Sequence, residues 1–172
     1  MNKKILYLHG LDGSLSPEKK EVLERYFEIT APQLDYRNTP DMFAQLSGLF
    51  ISEKFNAVIG NSMGGCFAYY LSLKYSVPAL CFNPALHFRP IHFDLPELKP
   101  NNNPPNNNPP NNPIVFVLGG QDDTVPVIES FAWIRQNPNP NFVLKWYNEM
   151  GHRVDIKTFE NEVRLFAERY SE

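Results

Sequence analysis

Ala57-Val58-Ile59-Gly60-Asn61-Ser62-Met63-Gly64-Gly65 runs directly into Cys66-Phe67-Ala68-Tyr69-Tyr70-Leu71-Ser72-Leu73. A short β-rich apolar run, a serine between glycines and an apolar segment of helical length follow one another without a break. The spacing predicts a buried strand over Asn56–Ile59 and a helix over Met63–Tyr75. A serine in a Gly-x-Ser-x-Gly turn between such elements sits in a strained strand-to-helix bend that lifts its oxygen above the sheet. Small neighbours let the backbone pack closely there. The helix N-terminus behind it carries unpaired N–H groups and a partial positive potential. Ser62 is therefore a candidate nucleophile, with the Met63 N–H as the first donor to a developing oxyanion. Outside this context the motif is only a glycine-rich turn.

Working outward, apolar runs alternate with amphipathic segments, which implies a parallel sheet with helices on its faces. Ile5-Leu6-Tyr7-Leu8 reads as a strand buried on both sides. Ser16-Pro17-Glu18 starts a helix with Ser at the cap and Pro at the first helical position, burying Val22, Leu23, Tyr26 and Phe27. Glu28–Ala31 is a short strand. Thr39-Pro40-Asp41 repeats the cap chemistry before Met42, Phe43, Leu46, Leu49 and Phe50 at helical spacing. Further strands are predicted over Pro78–Phe82, Ile114–Leu118 and Phe142–Tyr147, and helices over Pro126–Arg135 and Thr158–Tyr170.

In a parallel sheet, functional loops gather at the carboxyl ends of the strands. Three more motifs stand there. His9-Gly10 ends the first strand. Gly10 permits a sharp turn that brings the Leu11 N–H toward the serine as a second oxyanion donor, and His9 reads as a structural hydrogen-bonder, with a catalytic base as its rival role. Gly119-Gly120-Gln121-Asp122-Asp123-Thr124-Val125-Pro126 follows the fifth strand. Its spacing puts Asp122 in place to orient a histidine, with Asp123 as the alternative or as a cap for the next helix. Met150-Gly151-His152 follows the sixth strand. Serine, acid and histidine in that chain order, each after its own strand, make His152 the candidate general base.

The chain of 172 residues suits one domain, residues 1–172. A net charge of −3 with scattered charges points away from nucleic acid and anionic membranes. No run reaches membrane-span length and Met1–Leu8 has too short an apolar core for a secretory signal, so a cytoplasmic protein is expected. Cys66 and Cys81 read as reduced core residues. His87 and His92 stand without a carboxylate or cysteine pattern, so no metal and no cofactor are expected. Phe82, Pro84, Leu86, Phe88, Ile91 and Phe93 are unusually apolar for a loop and serve either to cover the site or to pack. Asn101–Asn112 contains only asparagine and proline. It reads as a mobile low-complexity insertion, since it offers nothing apolar to bury.

Taken together, Leu8-His9-Gly10, Gly60-Asn61-Ser62-Met63-Gly64-Gly65, Asp122 with Val125-Pro126, and Gly151-His152 resemble the α/β-hydrolase superfamily. The opening Tyr7-Leu8-His9-Gly10 and the short length resemble its small YqiA-type bacterial esterases. The resemblance implies a six-stranded, mostly parallel sheet lacking the first two strands of larger members, with a minimal cap or none. It also implies hydrolysis of small acyl esters or thioesters, with a small-molecule substrate as the partner. A non-catalytic binding protein on the same scaffold and an acyltransferase are the alternatives.

Overall fold

The computed structural model describes residues 3–87, 92–95 and 112–170. Phe88, Ile91 and almost all of the Asn101–Asn112 run lie outside the described residues. Six strands, β1 (Lys3–Leu8), β2 (Phe27–Thr30), β3 (Ala57–Asn61), β4 (Ala79–Phe82), β5 (Ile114–Gln121) and β6 (Phe142–Gly151), form one sheet in the order β2-β1-β3-β4-β5-β6. Every neighbouring pair is parallel. The helices are α1 (Pro17–Glu24), α2 (Met42–Glu53), α3 (Met63–Tyr75), α4 (Val127–Gln136) and α5 (Ile156–Tyr170). The chain winds from β1 out to β2, then crosses back to β3. The carboxyl ends of β1 and β3 thus flank a topological switch point, where open α/β sheets form their clefts.

Alternation along the strands builds two cores. Ile5, Tyr7, Ile59, Leu80, Phe82, Val115 and Val117 face α1 and α5, meeting Val22 and Leu23 of the first and Phe159, Val163 and Phe166 of the second. Leu6, Leu8, Val58, Cys81, Phe116 and Leu118 face the other way, onto α2, α3 and Ile134 of α4. Burying each such side chain contributes about 1.5–3 kcal/mol relative to exposure. Both cysteines are buried and neither is in a disulfide. Burial also pushes the Cys81 thiol far above its ordinary range, which keeps it protonated. Among the described residues, no helix is long and apolar enough to cross a membrane.

The elements depart from the sequence expectation in four places. Phe27 opens β2 and does not belong to α1, so it pairs with Lys3 while still reaching the core. Ser16 caps α1 by accepting from the Lys19 N–H at 3.3 Å, but Thr39-Pro40-Asp41 does not repeat this. Asp41 has φ −87° and ψ 21°, outside the extended region that a capping side chain requires, and makes no side-chain cap bond. Asp123 does not cap α4 either; Pro126 holds the cap position. Finally, β5 continues past Leu118 to Gln121 and β6 past Tyr147 to Gly151, because Gln121 pairs with Gly151 across a register shift after Gly119. Phe82, Leu86 and Phe93 are buried in the cores. Phe93, for example, packs edge-on against Phe67 with ring centroids 5.0 Å apart.

Candidate active site

The β3–α3 turn is held by contacts that exclude side chains. A Cβ on Gly60 would lie 2.2 Å from the Gly64 carbonyl oxygen, and one on Gly64 would lie 2.1 Å from that of Leu8. Both glycines are there for close approach, since no glycine has positive φ. Ser62 itself takes the left-handed value, φ 55° with ψ −117°. Such a conformation costs a non-glycine residue about 1–3 kcal/mol and persists only where the surroundings over-determine it. Here the Ser62 N–H donates to the Phe82 carbonyl at 2.8 Å. Its own carbonyl accepts from Cys66 N–H at 3.0 Å and Ala85 N–H at 3.1 Å.

The β5–α4 turn folds around a carboxylate. Asp122 Oδ1 accepts from the N–H groups of Thr124 at 2.9 Å and Val125 at 2.8 Å. Its side chain is 1% exposed. The neighbouring Asp123 stays exposed and, among the described residues, accepts only from the Thr124 hydroxyl, at 3.2 Å. The end of β6 brings in His152. Its Nδ1 lies 2.8 and 3.0 Å from the two oxygens of Asp122, and its Nε2 lies 3.1 Å from Ser62 Oγ. A carboxylate only accepts, so Nδ1 carries the proton and Nε2 presents a lone pair to the serine hydroxyl. Ser62, Asp122 and His152, named from three separate segments of sequence, thus meet in one hydrogen-bonded line.

Asn83, which follows β4, was not singled out in the sequence. It is buried, with φ 42°. Its amide donates to the carbonyls of Gly151 at 3.0 Å and His152 at 3.1 Å, and its oxygen accepts from the Gly119 N–H at 2.8 Å. One side chain therefore ties the histidine loop to the strand that leads to Asp122. The Asn83-Pro84 pair after a strand is a turn signal, but nothing local announces partners this far along the chain.

The β1–α1 loop completes the rim. His9 is buried and fully engaged. Its Nε2 accepts from the Leu34 N–H at 2.9 Å, so its Nδ1 carries the proton donated to the Gly10 carbonyl at 2.7 Å. The Tyr36 hydroxyl donates to the His9 carbonyl at 2.8 Å. With both ring nitrogens taken, His9 supports the loop and has no lone pair for chemistry. The left-handed residue of the loop is Asp12, φ 55°, and not Gly10. Gly10 is needed because a Cβ there would press on Ser62 Cβ at 3.2 Å. Leu11 and Met63 line the same cleft as Ser62 and His152. Met63 opens α3, where N–H groups have no acceptor in the helix's own ladder. No acceptor for the Leu11 N–H occurs among the described residues. The cleft encloses about 880 Å³. Phe82, Leu86, Phe93, His87 and His92 are not among its walls. His87 instead faces Glu129 of α4, its Nε2 at 3.1 Å from the carboxylate. Among the described residues, no group of three His, Cys, Asp or Glu side chains is placed to hold a metal ion.

Residues 4–109 match the uncharacterised protein family UPF0227. The chain belongs to that family. The matched part of this UPF0227 chain contains Ser62 and ends before Asp122 and His152. Solved structures share its fold, which is that of the α/β hydrolases. It is similar to an alpha/beta superfamily hydrolase from Xanthomonas campestris pv. campestris, with 20% identity, TM-score 0.66 and 97% of each chain covered. It is also similar to a monoacylglycerol lipase from Paleococcus ferrophilus, at 14% identity and TM-score 0.69 over 98% of this chain and 94% of that one. Acyl-protein thioesterase 2 of Zea mays matches at 17% identity and TM-score 0.63, again over 98% and 94%.

Proposed function

We propose that this UPF0227 chain is a serine-dependent hydrolase of small carboxylic esters or thioesters, acting through an acyl-enzyme. The observation that carries the reading is the His152 imidazole bridging Ser62 Oγ at 3.1 Å and Asp122 at 2.8 Å. Ser62 Oγ attacks the acyl carbon while His152 Nε2 takes its proton. Asp122 holds the imidazole in the required tautomer and stabilises the imidazolium. The N–H groups of Leu11 and Met63 stabilise the oxyanion in a part of the cleft where the α3 N-terminus adds positive potential. The protonated His152 then gives its proton to the leaving alcohol or thiol. Water, activated by the same imidazole, attacks the acyl carbon and releases the acid and Ser62. The lipase and the thioesterase of the same fold are consistent with an ester or thioester bond as the target.

Steady-state hydrolysis of p-nitrophenyl butyrate tests this. The wild-type chain turns the ester over and Ser62→Ala lowers kcat by about 10⁴-fold or more while the circular dichroism spectrum is retained. Full activity in Ser62→Ala contradicts the assignment.

A further inference from the structure

The Ser62 cleft is larger than a short acyl ester requires, and its walls carry cations that the fold leaves without carboxylate partners. Lys19, in the first turn of α1, and Arg153, next to His152, both line it. Among the described residues, neither has a carboxylate within ion-pair distance. Arg37, by contrast, is paired: it holds Asp12, which lines the cleft, through its Nε at 2.8 Å. Lys19 is partly buried, with its ammonium 5.0 Å from the Phe159 ring centroid. Burial holds that ammonium below its usual range; Asp155 opposes the shift electrostatically but forms no ion pair with it. Of the carboxylates lining the cleft, Asp12 is offset by Arg37, which leaves Asp123 against two cations. A partly desolvated cation without an ion-paired carboxylate is a poor structural choice and a good receptor for an anion.

We propose that Lys19 and Arg153 form an anion-recognising wall of the Ser62 cleft, so that the preferred substrate is an acyl ester that also carries a carboxylate or a phosphate. This rests on the hydrolase reading above and narrows its substrate class. The chemistry of the bound group is the same whether it enters on the acyl side or on the alcohol side of the scissile bond.

Two matched pairs of esters separate these sources. The acyl-side pair is p-nitrophenyl hydrogen glutarate against p-nitrophenyl pentanoate. The alcohol-side pair is the butyrate ester of 2-hydroxyethyl phosphate against that of ethylene glycol. The charged member of at least one pair is expected to have a kcat/KM about tenfold above its neutral counterpart at low salt. That ratio falls as ionic strength rises toward about 0.5 M. It collapses toward one in Lys19→Met with Arg153→Gln. Arg153→Gln alone, at an exposed position, lowers it partway and stands as the measure should the Lys19 variant disturb packing on Phe159. Lys157→Gln, which removes an exposed cation outside the cleft, leaves the ratio as it was. A ratio near one for both pairs in the wild type overturns the proposal, as does a ratio that survives the double variant. If the wild type hydrolyses none of the four esters, the hydrolase reading fails and the anion wall falls with it, whereas turnover of the neutral esters without preference sinks the anion wall alone.

Discussion

Two carboxylates in this molecule are equally buried, each with a side chain 1% exposed and each bonded to a nitrogen base, yet they belong to different kinds of region. Asp122 sits at the carboxyl edge of the sheet, fixed by two backbone N–H groups and facing His152. Beyond that imidazole lie a hydroxyl on a strained backbone and an open cleft. Glu162 stands on the buried face of α5, accepting from Lys145 Nζ at 2.6 Å and from the Tyr147 hydroxyl, both on the edge strand β6. Burial together with the Glu162 contact pushes the Tyr147 hydroxyl up to about 12, so it remains a donor. Among the described residues, nothing nucleophilic follows it. The first arrangement holds an imidazole lone pair against a hydroxyl; the second clasps a helix to a strand. The comparison shows that a buried acid acquires chemical meaning from what its partner touches next, and that burial and pairing alone mark only structure.

Substitutions can break that contrast. Asp122→Asn keeps the shape but removes the acceptor that sets the His152 tautomer, so kcat on a neutral ester falls by about 10⁴-fold, measured by steady-state kinetics. The same change one residue on, Asp123→Asn, alters it by less than about threefold, and equal losses would erase the distinction between these two acids. Asn83→Ala removes three hydrogen bonds that register the His152 loop against β5. Misplacement by about an ångström costs on the order of 10²-fold, and the loss should appear in kcat with little change in KM. Glu162→Gln is expected to leave kcat unaltered and to lower unfolding stability by about 2 kcal/mol. That is below the figure for a fully buried pair, because the Lys145 side chain is 29% exposed. Urea unfolding followed by circular dichroism reads it directly. A large loss of kcat in Glu162→Gln would join the two regions that the geometry separates.

Much of this was legible in the residues, for a physical reason. The Ser62 turn, the strand before it and the helix after it are specified by neighbours within a few positions, so α3 has the bounds its pattern predicts, Met63–Tyr75. Ser62, Asp122 and His152 were recognisable because each follows its own strand and parallel strands share one functional edge. What escaped depends on contacts between distant segments. Asn83 acts on residues 36, 68 and 69 positions away. The polar end of β6 becomes strand only because β5 lies alongside it. Thr39-Pro40-Asp41 has the composition of a cap, but the ψ of Asp41 defeats it. The apolar Phe82, Leu86 and Phe93 are consumed by the cores, so a loop's hydrophobicity did not mark a substrate wall.

The central claim is that Ser62 is a hydroxyl activated by His152. Labelling the folded chain with a fluorophosphonate probe, followed by peptide mass spectrometry, tests it most directly. The account predicts one phosphonylated residue, Ser62, with labelling abolished in Ser62→Ala and strongly slowed in Asp122→Asn. A well-folded sample that stays unlabelled, or carries the adduct on another residue, would contradict it.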